Sequence, residues 1–380
     1  MVADRGRHTN IKKELVLLLP CVKWLCIQTR RTKELTMPFS RPTLITIALF
    51  LAVSFLTSCH TPREVSQTNS AVEQAVRVIS LQGPITNPEA EISGLTWYGD
   101  YLIILSQYPA FPSEGGGGQA FALPKADILA YLEDASPEPL TPFSIAFDAP
   151  DLRPHIANFE GYEAIVFDGN KAYLTIEAEP PSKTRSYLVT ATIAQDLSTL
   201  KVDTTGMVPI YSQSDVENMA EETLILTEEN ILSVHEANGK NVNATPVAHV
   251  FDLERQALGT IPFPSVPYRI TDATTLDKDN RFWAINYHYP DDQELYTSQD
   301  PLAERYGRGA THAGTKTVER LVEFQYTTSG IKLTNTPPIQ LELLSDDSRN
   351  WEGLARLDDK GFLIMTDKFP NTTLGFVQKP

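Results

Sequence analysis

The sequence predicts an all-β chain folded as a β-propeller, and three observations lead to this prediction. One pattern recurs five times: a small or acidic residue, an apolar run, a polar turn and a second apolar run. Stretches with helical periodicity are few and short. Clusters of Gly, Pro, Asn and Asp separate the apolar runs, as is typical of short strands. The five repeats are the segments 93–107, 163–177, 222–236, 272–286 and 352–367.

Each repeat is predicted to be a β-hairpin, because turn-forming residues such as Gly99-Asp100 and Asp168-Gly169-Asn170 occupy its centre. A third apolar run follows every hairpin, and a fourth follows the first four hairpins. The predicted third strands are Gln119–Leu123, Ser186–Ile193, Pro246–Leu253, Arg320–Tyr326 and Thr373–Val377. The predicted fourth strands are Phe143–Phe147, Met207–Tyr211, Gly259–Pro262 and Ile339–Leu344.

The fifth repeat ends the chain after its third strand, so its outer strand must come from elsewhere. Ala75–Leu81 supplies a suitable apolar run at the other end of the domain. The sequence therefore predicts a propeller of five blades that is closed when this N-terminal strand joins the last blade. Six blades remain an alternative if the stretches 107–141 or 287–320 contain a degenerate repeat.

The N-terminal region carries an export signal rather than part of the fold. The segment from Met37 has one positive charge, Arg41, followed by an uncharged apolar stretch from Thr43 to Leu56. The next residues, Leu56-Thr57-Ser58-Cys59, resemble a lipobox, in which the cysteine thiol receives a lipid and becomes the new N-terminus. The resemblance implies a bacterial lipoprotein, anchored through Cys59 on the periplasmic or cell-surface side of a membrane. An ordinary signal peptide with a chance cysteine is the alternative.

These observations predict four segments along the chain. Residues 1–36 are interpreted as a mis-called extension, because export signals do not normally begin so far upstream. Residues 37–58 form the signal peptide, and residues 59–74 form a polar tether without periodicity. Residues 75–380 form a single propeller domain, which we expect to be monomeric.

Charge and cysteine content exclude several classes of protein. Beyond residue 59 the chain has 23 basic and 45 acidic residues, and such a surface repels nucleic acid. Cys59 is the last cysteine, so the mature chain has neither a disulfide framework nor a thiolate zinc site. The motifs G-x-S-x-G, H-E-x-x-H and the P-loop are missing from the sequence, which disfavours serine esterases, zincins and P-loop NTPases.

The first residue of each repeat is the predicted metal ligand. In a propeller these positions start the strands that line the central channel, so their side chains converge. Converging carboxylates repel one another unless a cation neutralises them, and Ca²⁺ accepts six to eight oxygen ligands. Alternatively, these residues cap backbone amides around a channel filled with water. The predicted ligands are Ser93, Glu163, Glu222, Asp272 and Glu352.

The last residues of the second strands form another ring on the same face: Gln107, Glu177, Glu236, Asn286 and Asp367. The long loop 287–319 opens on this face and is rich in basic residues for so acidic a chain. Arg305, Arg308 and His312 are therefore predicted to hold an anionic substrate beside the metal. Arg269 and Arg349 precede ring carboxylates by three residues and are further candidates, although all of these cations could instead pair with ring acids.

The motifs Asn158-Phe159-Glu160-Gly161-Tyr162-Glu163-Ala164 and Trp351-Glu352-Gly353-Leu354-Ala355 resemble strand starts of the phytase-like, esterase-annotated propeller family. The ring order Ser, Glu, Glu, Asp, Glu also resembles the five-bladed calcium-activated nucleotidases (apyrases). The second resemblance implies a Ca²⁺ held by the ring residues. The substrate-binding residues of the nucleotidases have no counterpart here.

Three functions follow as hypotheses. The first is a Ca²⁺-dependent hydrolase of phosphate esters or anhydrides, with Glu163 or Glu222 as the proton acceptor and Arg305 or Arg308 as the phosphate ligand. The second is a non-catalytic propeller lipoprotein that binds a protein or a glycan. The third is a glycosidase that uses two ring carboxylates.

Replacement of the predicted lipid acceptor tests the anchor. We expect Cys59→Ser to abolish labelling by radioactive palmitate and to leave the chain as uncleaved precursor or soluble product. Ser54→Ala, within the apolar stretch of the signal, is the control and should leave labelling unchanged. Recovery of the wild type as an unlipidated soluble protein would contradict the lipoprotein prediction.

Overall fold

A computed structural model describes residues 71–179 and 185–380 of the chain. The predicted extension, the signal peptide, Cys59 and most of the tether lie outside the described residues, so those predictions stay predictions. Among the described residues, no helix combines the length and the apolar character needed to cross a membrane.

The described residues from the N-terminus to the second repeat contain ten strands and one α-helix. Strands β1 and β2 are Glu73–Gln74 and Val76–Ile79, and two short 3₁₀ turns follow at Pro84–Thr86 and Pro88–Ala90. Strands β3 to β6 are Ile92–Tyr98, Tyr101–Ser106, Gln119–Pro124 and Phe143–Asp148, with helix α1 at Lys125–Glu133. Strands β7 to β10 are Phe159–Asp168, Lys171–Ala178, Arg185–Ile193 and Thr199–Tyr211.

The remaining repeats supply eleven further strands and a second helix. Strands β11 to β14 are Glu221–Leu226, Asn230–His235, Val247–Asp252 and Ala257–Pro262. Strands β15 to β18 are Arg281–His288, Val318–Thr327, Gly330–Leu333 and Ile339–Leu341, with helix α2 at Pro301–Tyr306. Strands β19 to β21 are Trp351–Leu357, Gly361–Thr366 and Leu374–Gln378.

Antiparallel four-stranded units account for most of the sheet structure. Strands β11 to β14 form one sheet in chain order, and β19, β20, β21 and β2 form another. The eight-stranded sheet combines two such units, β3 to β6 and β7 to β10, which join through parallel pairing of β6 with β10. The hairpins predicted for the first, second, third and fifth repeats are confirmed by these pairings.

The fourth repeat departs from the predicted hairpin. Its first segment, residues 272–276, is not a regular strand and contacts β15 through a single isolated bridge between Ala273 and Ala284. Two further backbone bonds, from Thr274 N to Trp283 O and from Ile285 N to Asp272 O, hold it beside β15. The sheet that contains β15 instead gains β1, which pairs in parallel with β18.

The N-terminal strand joins the last sheet, as the sequence predicts. Strand β2 pairs antiparallel with β21, from Val76 opposite Val377 to Ile79 opposite Leu374. The two ends of the domain are therefore held together by backbone hydrogen bonds, and the outer edge of the last sheet is covered.

Apolar cores fill the spaces between consecutive units. One core joins β3, β4 and β5 to the last sheet, and another joins the two halves of the eight-stranded sheet. Further cores join β7 to β10 with β11 to β13, β11 to β13 with β15 and β16, and β15 and β16 with β19 and β20. Because each unit packs on the next and the last packs on the first, the fold is a β-propeller.

Close approach of the first strands explains one glycine of the strand-start motif. A Cβ atom on Gly353 of β19 would lie 2.5 Å from Cγ of Leu95 on β3. Real Cβ atoms do not approach other carbons so closely, so a side chain here would push the first strands apart. The Glu-Gly pair at the start of β19 thus lets neighbouring units meet near the axis.

Two truncations test the closure. We expect removal of residues 60–82 to lower the free energy of unfolding by at least about 3 kcal/mol, because it exposes the core beneath Ile79 and strips the outer strand from the last sheet. Removal of residues 60–70 keeps β1 and β2 and should leave stability nearly unchanged. The measurement is urea denaturation followed by tryptophan fluorescence, and equal midpoints for the two truncations would contradict the closure.

Candidate metal centre

Four of the predicted ring residues lie at the same structural irregularity. In β3, β7, β11 and β19 the pairing register with the following strand shifts by one residue. These shifts skip Ser93, Glu163, Glu222 and Glu352, and a second shift in β7 skips Glu160. A β-bulge rotates its extra residue out of the alternating pattern and re-aims the side chain. Four bulges at equivalent positions therefore explain why these four side chains all face one cleft.

Three carboxylates come together at the inner end of this cleft. Glu163, Glu177 and Glu222 each have one oxygen within 4.8 Å of the other two, and all three side chains are buried. Glu177 belongs to the second ring that the sequence places on this face, and it had no predicted ligand role. We call Glu163, Glu177 and Glu222 the acidic cluster.

Two oxygens of the cluster, and the hydroxyl of Ser93 in the same cleft, have no hydrogen-bond partner among the described residues. Among the described residues, Oε1 of Glu177, Oε2 of Glu222 and Oγ of Ser93 are buried without one. Glu163 is partly satisfied, because Gln107 Nε2 donates to its Oε1 at 3.0 Å. An unpartnered buried carboxylate oxygen is costly, so this arrangement favours an additional positive ligand or bound protons.

The electrostatics of the cluster agree with its geometry. Burial raises the pKa of Glu163 and of Glu222 well above their ordinary values, and neighbouring carboxylates, Glu177 for the first and Glu236 for the second, raise them further. Burial and the charge of Glu236 raise the pKa of Glu177 to about 8. Glu352 has a pKa well above its ordinary value for the same two reasons. Without a cation, the folded chain therefore keeps protons on these carboxyls near neutral pH.

Arg269 supplies a buried positive charge beside the cluster. It pairs with Glu236, donates to both carboxylate oxygens of Asp292 at 2.6 and 2.9 Å, and lies over the ring of Tyr287. Burial opposes its charge, but these carboxylates outweigh burial and raise its pKa well above the ordinary value. Tyr287 in turn donates to Oε1 of Glu352 at 2.9 Å. Arg269 thus lines the cleft, and it also forms the salt bridge with a ring acid that the sequence left as the alternative.

Asp272 occupies a different environment from the other predicted ligands. Its Oδ2 accepts from the backbone N–H groups of Leu95 at 3.2 Å and Leu354 at 2.7 Å, and its Oδ1 accepts from its own neighbour Ala273 at 2.7 Å. These donors belong to β3, β19 and the irregular segment. The Asp272 side chain therefore ties three parts of the propeller together, and it is not part of the acidic cluster.

The structure places the predicted anion ligands outside the cleft. Arg305 lies on α2, over the ring of Tyr306, and donates to Oδ1 of Asn335 at 3.1 Å. His312 is buried, and both of its ring nitrogens have partners: Nδ1 lies 2.8 Å from Oε1 of Glu73, and Nε2 accepts from Glu319 N. Neither of them, nor Arg308, lines the cleft.

Arg349 also lies elsewhere, because it pairs with buried Glu319 beside Trp351. Spacing along the sequence could not separate these structural cations from Arg269.

The cleft as a whole has a volume of about 440 Å³ and is strongly acidic. Its cationic side chains are Arg269 and Lys368, and Lys368 pairs with Glu91 at 2.7 Å. Tyr108, Tyr287 and Tyr289 supply aromatic surface. The carboxylate residues in its lining are Glu91, Glu160, Glu163, Glu177, Glu222, Asp291, Asp292, Glu352 and Asp367.

Comparison with known proteins adds a general likeness in fold. No protein-family model and no curated protein sequence matches the chain. Among solved structures, an exo-1,5-α-L-arabinanase from a bovine ruminal metagenomic library is 11% identical, with a TM-score of 0.42 and coverage of 78% of this chain and 95% of the other.

The catalytic domain of a Coprinopsis cinerea GH62 α-L-arabinofuranosidase is 8% identical, with a TM-score of 0.43 and coverage of 81% and 98%. A β-1,2-mannobiose phosphorylase from Listeria innocua is 11% identical, with a TM-score of 0.41 and coverage of 81% and 92%. At these scores the likeness carries no argument about chemistry, and the resemblance to phytase-like propellers and nucleotidases stays a prediction.

The raised pKa values of the buried carboxyls predict how the folding stability of the metal-free protein, kept in EDTA, changes with pH. An acid with a raised pKa in the folded state holds its proton after the unfolded chain has lost it. The contribution of Glu177 to stability therefore falls as pH rises between about 4.5 and 8, by up to about 1.4 kcal/mol per pH unit, and the other raised carboxyls act in the same direction. We expect the melting temperature in EDTA to be lower at pH 8 than at pH 5.5.

Glu177→Gln should make this decline shallower, because it removes one titrating group. The exposed Glu229→Gln, in the turn between β11 and β12, should leave the decline unchanged. A melting temperature that rises from pH 5.5 to pH 8 in EDTA would contradict the assignment of buried protons to the cluster.

Proposed function

We propose that the acidic cluster binds a divalent cation, Ca²⁺, and that the protein is a cation-dependent hydrolase of phosphate esters or anhydrides. The observation that carries the proposal is the set of three converging carboxylates with unpartnered oxygens on Glu177 and Glu222. Hard oxygen donors of this kind suit Ca²⁺, whose coordination is flexible, better than Mg²⁺, which demands a tight octahedron.

The proposed ligand set differs in part from the set that the sequence predicts. Glu163, Glu177 and Glu222 form its core, and Ser93, whose buried hydroxyl has no partner among the described residues, completes it from β3. Glu352 lines the cleft and accepts from Tyr287. Asp272 is replaced in the set by Glu177, since the oxygens of Asp272 already accept three backbone bonds.

Charge decides what the cleft accepts. The lining carries far more carboxylates than cations, so the apo cleft repels an anion. A bound divalent cation attracts a phosphoryl oxygen and lowers the pKa of a water molecule. Arg269 lies in the same lining and would meet the remaining phosphate charge by exchanging part of its pairing with Glu236 and Asp292, and a carboxylate of the cluster would accept the proton of the attacking water. In this proposal Arg269 takes the role that the sequence assigned to Arg305 and Arg308.

The overall organisation belongs to the same proposal. The five inter-unit cores, with β2 completing the last sheet, support a propeller of five blades. The resemblance of Leu56-Thr57-Ser58-Cys59 to a lipobox supports a lipid anchor at Cys59, and with this anchor the hydrolase would lie at a bacterial membrane outside the cytoplasm. In this proposal the protein is a monomer, and its substrate is a small anion.

A glycan is the second candidate ligand of the cleft, either as the substrate of a glycosidase or as the target of a non-catalytic binding protein. The observation that favours it is the presence of three tyrosines, Tyr108, Tyr287 and Tyr289, in the cleft lining together with carboxyls such as Glu177, which has a pKa of about 8. A protonated carboxyl near neutral pH is the general acid that glycoside hydrolysis requires. Activity towards aryl glycosides that persists in EDTA would favour this candidate over the phosphohydrolase.

Calcium titration tests the metal site directly. A ligand that binds only the folded state adds about 2.7 kcal/mol of stability at a hundredfold excess over its Kd. We expect millimolar Ca²⁺ to raise the melting temperature of chelator-treated protein at pH 7.5 and to support hydrolysis of phosphate esters. Glu222→Gln should erase most of the thermal shift and lower activity at least tenfold, because it removes a ligand charge without changing volume.

The matched control is Glu229→Gln, which makes the same chemical change in the exposed turn of the same hairpin. It should keep both the thermal shift and the activity. A melting curve that does not respond to Ca²⁺ in the wild type would remove the metal site. A thermal shift without phosphate hydrolysis would keep the metal site and remove the proposed reaction.

A further inference from the structure

A second cavity lies directly beside the acidic cleft. Its volume is about 300 Å³, and residues of the loop 108–117 form one wall. The other wall comes from the segment 149–153 together with Phe159 and Tyr162. We call this cavity the loop pocket. None of the ring residues lines it.

The glycine run of the loop gives the pocket a fixed shape. A Cβ atom on Gly116 would lie 2.3 Å from Asp151 N, and one on Gly118 would lie 2.0 Å from Pro109 O. A backbone hydrogen bond from Gln119 N to Pro109 O joins the two ends of the loop. A second one, from Phe147 N to Gly118 O, ties the loop to β6. The glycines therefore let two backbone segments pack together, and the space in front of them is not filled by side chains.

Apolar and aromatic groups dominate the interior. Tyr162 and Leu152 are buried at the base, and the ring of Tyr162 makes edge contacts with Phe147 at 4.9 Å and with Phe159 at 5.9 Å. Rings fixed in this way offer a preformed surface to a flat apolar group. At the rim, Arg153 pairs with Glu114 at 2.9 Å.

Tyr108 connects the loop pocket to the acidic cleft. Its side chain lines both cavities, and its hydroxyl lies 3.5 Å from Oε2 of Glu160 at the rim of the cleft. The preceding residue, Gln107, donates to Glu163 of the acidic cluster. A ligand that occupies both cavities would therefore contact Tyr108 where the two cavities meet.

We infer that the loop pocket binds an aromatic group of the substrate, so that the substrate class is an aryl phosphate ester. The pocket has about twice the roughly 150 Å³ of a cavity that holds one benzene ring, which leaves room for a bicyclic ring. This inference rests on the proposed function for the phosphate end of the substrate. The aromatic end is argued from the pocket alone.

The reaction that follows from this placement is balanced by water alone. Water forms a new bond to phosphorus, and the bond between phosphorus and the aryl oxygen breaks. The proton released by water passes through a carboxyl of the acidic cluster, and the leaving aryl oxygen takes up a proton. The products are a phenol, which leaves from the loop pocket, and inorganic phosphate.

The test uses a variant that fills the loop pocket and measures its activity on an aryl and on an alkyl phosphate ester. Ala110 lines the loop pocket and belongs to none of the catalytic groups, so Ala110→Phe places a ring in the space. We expect this variant to raise the Kd for 1-naphthol, measured by its fluorescence, and the KM for 1-naphthyl phosphate, each at least tenfold. Its activity on glycerol 2-phosphate in Ca²⁺ should match the wild type.

Two further variants keep the test decisive. Ala257→Phe makes the same change on the exposed outer strand β14 and should leave every value unchanged. Phe159→Ala removes one aromatic wall and should weaken 1-naphthol binding several-fold, which provides a second measurement if Ala110→Phe does not fold.

The outcomes separate the inference from the proposed function. Unchanged 1-naphthol binding in both pocket variants, or no binding by the wild type, overturns the aromatic assignment even if phosphate esters are hydrolysed. Binding of 1-naphthol that is lost in Ala110→Phe, in a protein that hydrolyses neither phosphate ester, supports the aromatic pocket and overturns the phosphohydrolase.

Discussion

Pairing of β2 with β21 is the constraint on which the candidate site depends, because it holds the first and last repeats of the chain together. Ser93 comes from the first repeat, Glu163 and Glu177 from the second, Glu222 from the third and Glu352 from the fifth. These residues are distant in sequence and meet only when consecutive units stand around one axis. An open row of the same hairpins would keep Glu163 and Glu177 on one hairpin, but it would separate Glu352 from them and expose the carboxylates to water, which brings their pKa values back towards the ordinary range.

Closure of the propeller buries carboxylates whose charge no cation of the described residues neutralises. Arg269 is engaged by Glu236 and Asp292, so its charge does not neutralise Glu163 and Glu222. Burying carboxylates without counter-charge disfavours their ionised form, and the folded chain must then retain protons or bind a cation. The same three side chains thus lower the stability of the apo protein and, in the proposed function, bind a divalent ion. Such a trade between stability and binding is typical of functional sites.

Local information in the sequence sufficed for most of the strands. The hairpins, the third and fourth strands and β2 follow from alternation of apolar residues and from turn chemistry, which act over a few neighbouring positions. The fourth repeat shows the limit of this reasoning. Its residues 272–276 fit the pattern, but Asp272 accepts N–H groups of Leu95 and Leu354 from two other units. No pattern within the repeat contains those donors.

The sequence by itself determined which residue types begin the strands of each repeat, and hence the ring that contains Ser93, Glu163, Glu222 and Glu352. Only the tertiary structure decided which acids keep free oxygens, which cation is near them and that an aromatic pocket adjoins them. Among the described residues, Glu177 keeps an oxygen without a partner, whereas Asp272 accepts a backbone N–H group from a neighbouring unit. Hydrogen bonding and desolvation of a buried carboxylate depend on atoms that lie far away along the chain and close in space.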